Sequence, residues 1–317
     1  MNVRIPTLNL IGAGRVGQTL ARLWTQAGVF VVQDVLTTST ASAQWACEFI
    51  GAGTPAQSLR TMRSADVWLI ATTDAQIAAS AAGLAEQTGH KTDALAPEQA
   101  PTAAQQARAT PTVFHCSGAL PASVLSPLAA LGWHVASAHP ILSFATAQDA
   151  CVQFAGTPCA LEGDASARVL LQTAFTAIGA QCFEVRSQDK LLYHAAAVFA
   201  TNFLPVLQSV AEDAWRATGV PEALLPHLRA SLLHNAVANI TRLGPQGALT
   251  GPAARGDTQA ITRQAAAVDA WDEKSGAAYA ALSTLALRLA GHMPSAAAAE
   301  ASELAPPSPG TSGAALL

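Results

Sequence analysis

Gly12-Ala13-Gly14-Arg15-Val16-Gly17 has the spacing of a turn built to hold a dinucleotide pyrophosphate on main-chain amides. Gly12 allows the tight turn, Gly14 has no Cβ to block the phosphates, and Gly17 lets helix and strand pack closely. The apolar run before the turn (residues 8–11) reads as a strand and the run after it (18–24) as a helix. Unpaired N–H groups at the start of that helix would face the anion. The group that reads the ribose belongs at the end of the second strand, about 20 residues beyond the turn. Two readings stand there. If the strand stops at Gln33, Asp34 would hold a ribose diol and favour NAD; if it runs to Leu36, the hydroxyls of Thr37, Thr38 and Ser39, with Arg15 nearby, favour the 2′-phosphate of NADP. The second is slightly preferred.

Further along, Thr72-Thr73-Asp74 and Ser117-Gly118 each follow a buried strand, where an open α/β sheet places its ligand crevice. Small polar residues there can pass along a coenzyme, although Asp74 can equally cap a turn. His139-Pro140 ends the next strand, and its imidazole either exchanges a proton with a substrate or sits in a structural turn. Lys190 and His194 stand four apart and share a helix face, with Asn202 two further turns along. In a reductase such a face supplies a cation to polarise a carbonyl or imine, a proton donor, and an amide that orients the substrate. Arg255, between small residues, could hold a substrate carboxylate or phosphate in a fork, while Asp257 makes a good helix N-cap.

These residues need a scaffold that brings strand ends together. Runs at 65–71, 113–115, 134–137, 158–161 and 181–185 read as strands, alternating with helical stretches at 42–49, 77–84, 124–131 and 165–178. That rhythm predicts a mostly parallel, doubly wound sheet over residues 1–187. Residues 88–110, rich in Ala, Gln, Thr and Pro, read as a surface insertion. From 188 to 293 the strands stop, and helical spacing at 189–217, 222–243 and 258–290 predicts an all-helical second domain. The Ala/Pro/Ser/Gly tail at 294–317 reads as disordered.

Composition excludes several classes. The net charge of −4 and the lack of a basic stripe argue against nucleic acid and anionic membranes as partners. The run at 191–211 is the most membrane-like, but it holds His194, Asn202, Pro205 and Gln208, so a buried helix is expected. The Met1 end lacks a signal-peptide layout, which points to the cytoplasm. Five cysteines without C-x-x-C spacing read as reduced small hydrophobes, and no metal site is indicated.

Together with the glycine turn, His115-Cys116-Ser117-Gly118-Ala119-Leu120, Ala138-His139-Pro140, Tyr193-His194-Ala195-Ala196 with Asn202, and Leu249-Thr250-Gly251-Pro252 through Arg255-Gly256-Asp257 make the chain resemble the bacterial Rossmann-like proteins that carry the domain of unknown function 2520. The resemblance covers roughly residues 8–290. It implies an α/β dinucleotide domain followed by a helical domain like that of 6-phosphogluconate dehydrogenase at its C-terminus, and a dimer formed through those helices. More distantly the chain is similar to pyrroline-5-carboxylate reductase and ketopantoate reductase, and Ser117 with His139-Pro140 to prephenate dehydrogenase. Thr37-Thr38 departs from the arginine or serine common in the family after the second strand, and the 88–110 insertion is unusual. The expected function is therefore an NAD(P)-dependent oxidoreductase for a small polar metabolite, acting as a homodimer in which a partner could contribute the Arg255 loop. The competing expectation is a non-catalytic NADP(H) sensor that signals to a protein partner.

Overall fold

The computed structural model describes residues 4–93 and 110–293. Its centre is one eight-stranded sheet: β1 (Thr7–Ile11), β2 (Val31–Leu36), β3 (Thr54–Ala56), β4 (Val67–Ile70), β5 (Thr112–His115), β6 (His134–Pro140), β7 (Pro158–Gly163) and β8 (Gln181–Glu184). They lie in the order 3-2-1-4-5-6-7-8. All pairs are parallel except β6 with β7. Every residue of β4 and β5 is buried, as expected of parallel strands covered on both faces, which therefore read as continuous apolar runs. The predicted mostly parallel sheet is the one observed. β3 escaped prediction because three residues centred on Pro55 carry no periodicity.

The helices α1 (Arg15–Gln26), α2 (Thr40–Ile50), α3 (Asp74–Asp93), α4 (Ser126–Ala129), α5 (Ala147–Gln153) and α6 (Ala165–Ala177) connect the strands. On one face the core gathers around Trp24, whose ring meets Phe30, Phe114 and Phe175 edge-on and whose Nε1 donates to the Ala174 carbonyl. Ile70, Ile77 and Leu125 anchor the opposite face. β1 sits between β2 and β4, so the chain reverses direction across the sheet there and leaves a crevice at the strands' carboxyl ends. α3 runs past the expected 77–84 to Asp93, so the first residues assigned to a surface insertion continue a helix. The remainder of that insertion and the 294–317 tail lie outside the described residues.

After β8 come α7 (Lys190–Ala197), a π-helical turn (Val198–Asn202), α8 (Phe203–Ala217), α9 (Leu225–Ala248), α10 (Gly251–Ala254), α11 (Thr258–Trp271) and α12 (Glu273–Leu289). The chain forms two compact units that divide between Asn202 and Phe203. Lys190 and His194, assigned by sequence to the helical domain, thus belong to the unit that holds the sheet. In the second unit, Asp257 and Asp272 cap α11 and α12 by accepting from Ala260 N and Ser275 N. Gly276 packs against Asp269 so closely that a Cβ would stand 2.6 Å from its backbone, drawing α11 and α12 together.

One expectation is overturned. The apolar stretch at 191–211 is not a buried helix: Leu191, Leu192, Phe199, Phe203, Leu204, Val206 and Leu207 are exposed. It lies in the one helix among the described residues, Ser187–Ala217, that is long and apolar enough to cross a membrane. Among the described residues Lys190 is the one buried member of α7, so the helix turns a single polar side chain, not its apolar ones, into the core.

Candidate active site

The glycine turn behaves as its spacing predicts. Gly12 has φ +82°, and a Cβ there would stand 2.8 Å from the Ala71 and Thr72 backbone. At Gly17 a Cβ would meet the Ala71 side chain at 3.0 Å and the Gly12 carbonyl at 3.1 Å, which keeps α1 tight against the sheet. Gly14 has nothing within 4 Å. It is also the N-cap of α1, with no side-chain cap and no acid in the first turn. The α1 N-terminus therefore offers its N–H groups beside free space. Ala13 and Val16 pack on the core, and the exposed Arg15 donates to the Phe144 carbonyl at 3.4 Å.

In front of the turn lies a cleft of about 610 Å³, lined by Gly12, Ala13 and Gly14, by Thr37, Thr38 and Ser42, and by Thr72 and Thr73. The Thr72 hydroxyl is buried without a hydrogen-bond partner. An orphaned polar atom, an open glycine and an uncapped helix tip in one cleft fit a dinucleotide.

β2 runs to Leu36, the longer of the two alternatives. Asp34 is consequently buried inside the strand, where it accepts from the backbone N and the guanidinium of Arg63 and pairs with it at 2.5 Å. Thr37 and Thr38 face the cleft. Ser39 instead caps α2, accepting from Ser42 N at 3.1 Å. Ser42, absent from the sequence reading, lines the cleft and shares a 2.6 Å hydrogen bond with Thr37.

The turn after β5 forms a second constellation, centred on Ser117. Its N–H donates to His115 Nδ1 at 3.1 Å, and its hydroxyl donates to Asp74 Oδ2 at 2.8 Å while accepting from the amides of Ala119 and Leu120. Its carbonyl accepts from Lys190 Nζ at 3.1 Å and from the Ser137 hydroxyl at 3.3 Å. Every polar atom of Ser117 is thus employed inside the protein. Because Ser117 N–H occupies His115 Nδ1, the ring's Nε2 carries the proton and donates to the Pro121 carbonyl. Burial pushes His115 down to about 4, which keeps it neutral for this task.

Lys190 is 3% exposed. Its ammonium also bonds the Ser137 hydroxyl, and burial lowers its pKa, opposed by the nearby Glu162 carboxylate. The expected carbonyl-polarising cation is therefore directed at protein acceptors, and what it polarises is the Ser117 carbonyl.

Gly118 follows at the point where two imidazoles converge. A Cβ there would stand 2.5 Å from His194 Nδ1 and 2.9 Å from His139 Nε2. His139 uses its other nitrogen, Nδ1, in a 2.8 Å hydrogen bond with the Tyr193 hydroxyl. Burial, followed by the neighbouring His194 and Lys190, pushes His139 down to about 4, so it is neutral near pH 7. Burial also raises Tyr193 to about 12, which keeps its hydroxyl protonated. His194 Nδ1 is buried with no partner. A neutral imidazole held at one nitrogen can donate or accept a proton at the other, the requirement for general acid–base work.

The fold thus gathers Ser117, Gly118, His139, Lys190 and His194, together with Asp74, Ser137 and Tyr193. Asn202 is not gathered with them. The π-helical turn adds a residue to the helix period, and Asn202 comes out exposed, accepting from Thr201. Arg255 belongs to the second unit and is exposed at the end of α10. Tyr193 lay within a recognised motif, yet its role at His139, 54 residues away, needed three dimensions.

Residues 157–286 match the family described as Domain of unknown function (DUF2520). The match begins one residue before β7 and ends in α12, taking in the Tyr193-His194 motif and the Arg255 loop. Among solved structures, protein TM1727 from Thermotoga maritima is 22% identical with a TM-score of 0.68, covering 90% of this chain and 99% of that one. BF3122 from Bacteroides fragilis, a proposed NADP oxidoreductase, is 20% identical with a TM-score of 0.63 over 89% and 98%. Pyrroline carboxylate reductase from Plasmodium falciparum, solved with NADP bound, is 11% identical with a TM-score of 0.52 over 90% and 98%. At these identities the likeness is one of fold. No curated protein matches the chain. The DUF2520 match upholds the resemblance read from the motifs, and the Rossmann-like sheet followed by helices is the fold it implied.

Proposed function

We propose that this DUF2520 chain is an NAD(P)-dependent oxidoreductase that transfers a hydride to or from a small polar metabolite. The observation that carries the reading is the α1 cleft, where the uncapped helix tip, the open Gly14 and the orphaned Thr72 hydroxyl meet. Gly12, Ala13, Gly14, Arg15, Val16 and Gly17 would hold the pyrophosphate, and Thr72 and Thr73 would follow the coenzyme toward Gly118. A nicotinamide coenzyme supplies or takes up the hydride. NADP is favoured, because the hydroxyl residues Thr37, Thr38 and Ser42 line the cleft while Asp34 is committed to Arg63. The NADP bound by the Plasmodium reductase and the activity proposed for BF3122 support the same reading.

In this reading the neutral His139 exchanges a proton with the substrate atom that gains or loses hydrogen, and Tyr193 orients the ring. Lys190 and the Ser117 turn hold Gly118, whose lack of a side chain lets both imidazoles approach. The exposed apolar side chains of α8 and α9 are assigned to pairing with a second copy in a cytoplasmic homodimer. Fluorescence titration with NADPH and NADH, followed by a screen of oxo acids and cyclic imines for coenzyme oxidation, tests the proposal. Turnover that is unchanged in both Lys190→Ala and His194→Ala would remove its enzymatic half.

One observation favours the sensor reading: the Lys190 ammonium is spent on protein acceptors. A sensor would bind NADPH and leave every substrate unturned, with its coenzyme affinity unaffected by His139→Ala.

A further inference from the structure

Cys159 in β7 and Cys182 in β8 are register partners of a parallel pair. Neighbouring strands stand about 4.8 Å apart, and disulfides span Cα separations of roughly 4.4–6.8 Å. The backbone thus already holds the two residues at a bonding separation. Both side chains lie on the sheet face covered by α6: Cys159 is buried in the core there and Cys182 packs against it, with its Sγ 4.0 Å from the Gln172 carbonyl. Both thiols are free. β8 is an edge strand, paired on one side only, so closing the remaining gap costs little of the sheet.

We propose that Cys159 and Cys182 are a modification site that closes into a reversible disulfide under a peroxide oxidant. Cys182, the partly exposed member, attacks first. Its sulfur bonds one peroxide oxygen, the O–O bond breaks, and hydroxide leaves with the thiol proton as water. The Cys159 sulfur then attacks the resulting sulfenic acid, forming the S–S bond as the S–O bond breaks and a second water leaves. Two thiols are oxidised and one hydrogen peroxide is reduced. The neighbouring Cys159 thiol also lowers the Cys182 thiol to about 7, which favours the thiolate that attacks.

The site touches both supports of His139. Cys159 is the register partner of Pro140, next to His139, while Phe183, next to Cys182, sets its ring edge-on to Tyr193. The proposal nevertheless stands apart from the coenzyme reading, since it requires no ligand.

The test exposes the full chain to hydrogen peroxide, alkylates the remaining thiols after unfolding, and maps peptides after chymotryptic cleavage, which at Phe154 separates Cys151 from Cys159. The expected result is loss of two of the five alkylatable thiols, a mass lower by two hydrogens, a Cys159–Cys182 linked peptide, and recovery with dithiothreitol. In Cys182→Ser all remaining thiols should stay alkylatable. Five thiols left intact in the wild type, an oxygen adduct on Cys182 beside a free Cys159, or a bridge joining any other pair would overturn the proposal.

Discussion

The Lys190 ammonium rests on the Ser117 carbonyl at 3.1 Å and binds the Ser137 hydroxyl as well, joining the first α-helix after the sheet to the turn beyond β5 and to the middle of β6. Sequence spacing placed this lysine near a reacting carbonyl, and the structure gives it a backbone carbonyl instead. Its chemistry is that of a buried charge-assisted hydrogen bond that sets the position of Gly118.

Lys190→Met keeps the aliphatic stem and removes the ammonium, leaving Ser117 with the Ser137 hydroxyl alone on its carbonyl. Chemical denaturation should show a loss of about 1–3 kcal/mol. Coenzyme affinity should change little, because the α1 cleft does not involve Lys190. A variant as stable as the wild type would show that the contact contributes nothing to folding.

Gly118→Ala puts a methyl group 2.5 Å from His194 Nδ1, so an imidazole or the turn must shift. Turnover should fall by roughly tenfold or more, equivalent to about 1.4 kcal/mol at the reacting group, while NADPH binding is retained. Unchanged turnover with any substrate found would separate the two histidines from the chemistry.

The pH dependence of stability has a definite sign. His139 is pushed from 6.5 to about 4 in the folded state, as is His115, so between these values the unfolded chain binds more protons. The stabilisation is fully present above pH 6.5 and is lost as the pH falls toward 4. Denaturation midpoints measured from pH 7.5 to 4.5 should fall, and His139→Phe should flatten part of that slope. An equal slope in wild type and variant would mean His139 titrates normally.

Ser42→Asp would place a carboxylate beside Thr37 in the cleft. Like-charge repulsion should weaken NADPH far more than NADH, shifting the ratio of dissociation constants by roughly tenfold or more. Equal weakening of both coenzymes would put the 2′-phosphate elsewhere.

The fold was legible because its signals are local and repetitive: apolar runs such as Val67–Ile70 and Thr112–His115 announce buried parallel strands, and the three glycines announce the α1 turn. The site was legible only in part. Whether Asp34 faces ligand or protein depends on Arg63, 29 residues away, and the role of Lys190 depends on Ser117, 73 away. The displacement of Asn202 follows from one π-helical turn, which leaves no mark in an otherwise helical spacing. The exposed face of 191–211 escaped for a different reason: an apolar helix reads the same whether its own chain or another surface covers it.

The central claim concerns the α1 cleft, and the pair Gly14→Ala and Gly12→Ala tests it most directly by calorimetric titration of NADPH alongside denaturation. Gly14 faces open space in an extended conformation that alanine adopts, so Gly14→Ala should cost at most about 1 kcal/mol of stability yet weaken NADPH roughly tenfold or more. Gly12→Ala should be destabilised outright by its positive φ and the Ala71 backbone. If wild-type protein takes up neither NADPH nor NADH, or if Gly14→Ala binds them as tightly as the wild type does, the helix tip is not a coenzyme site.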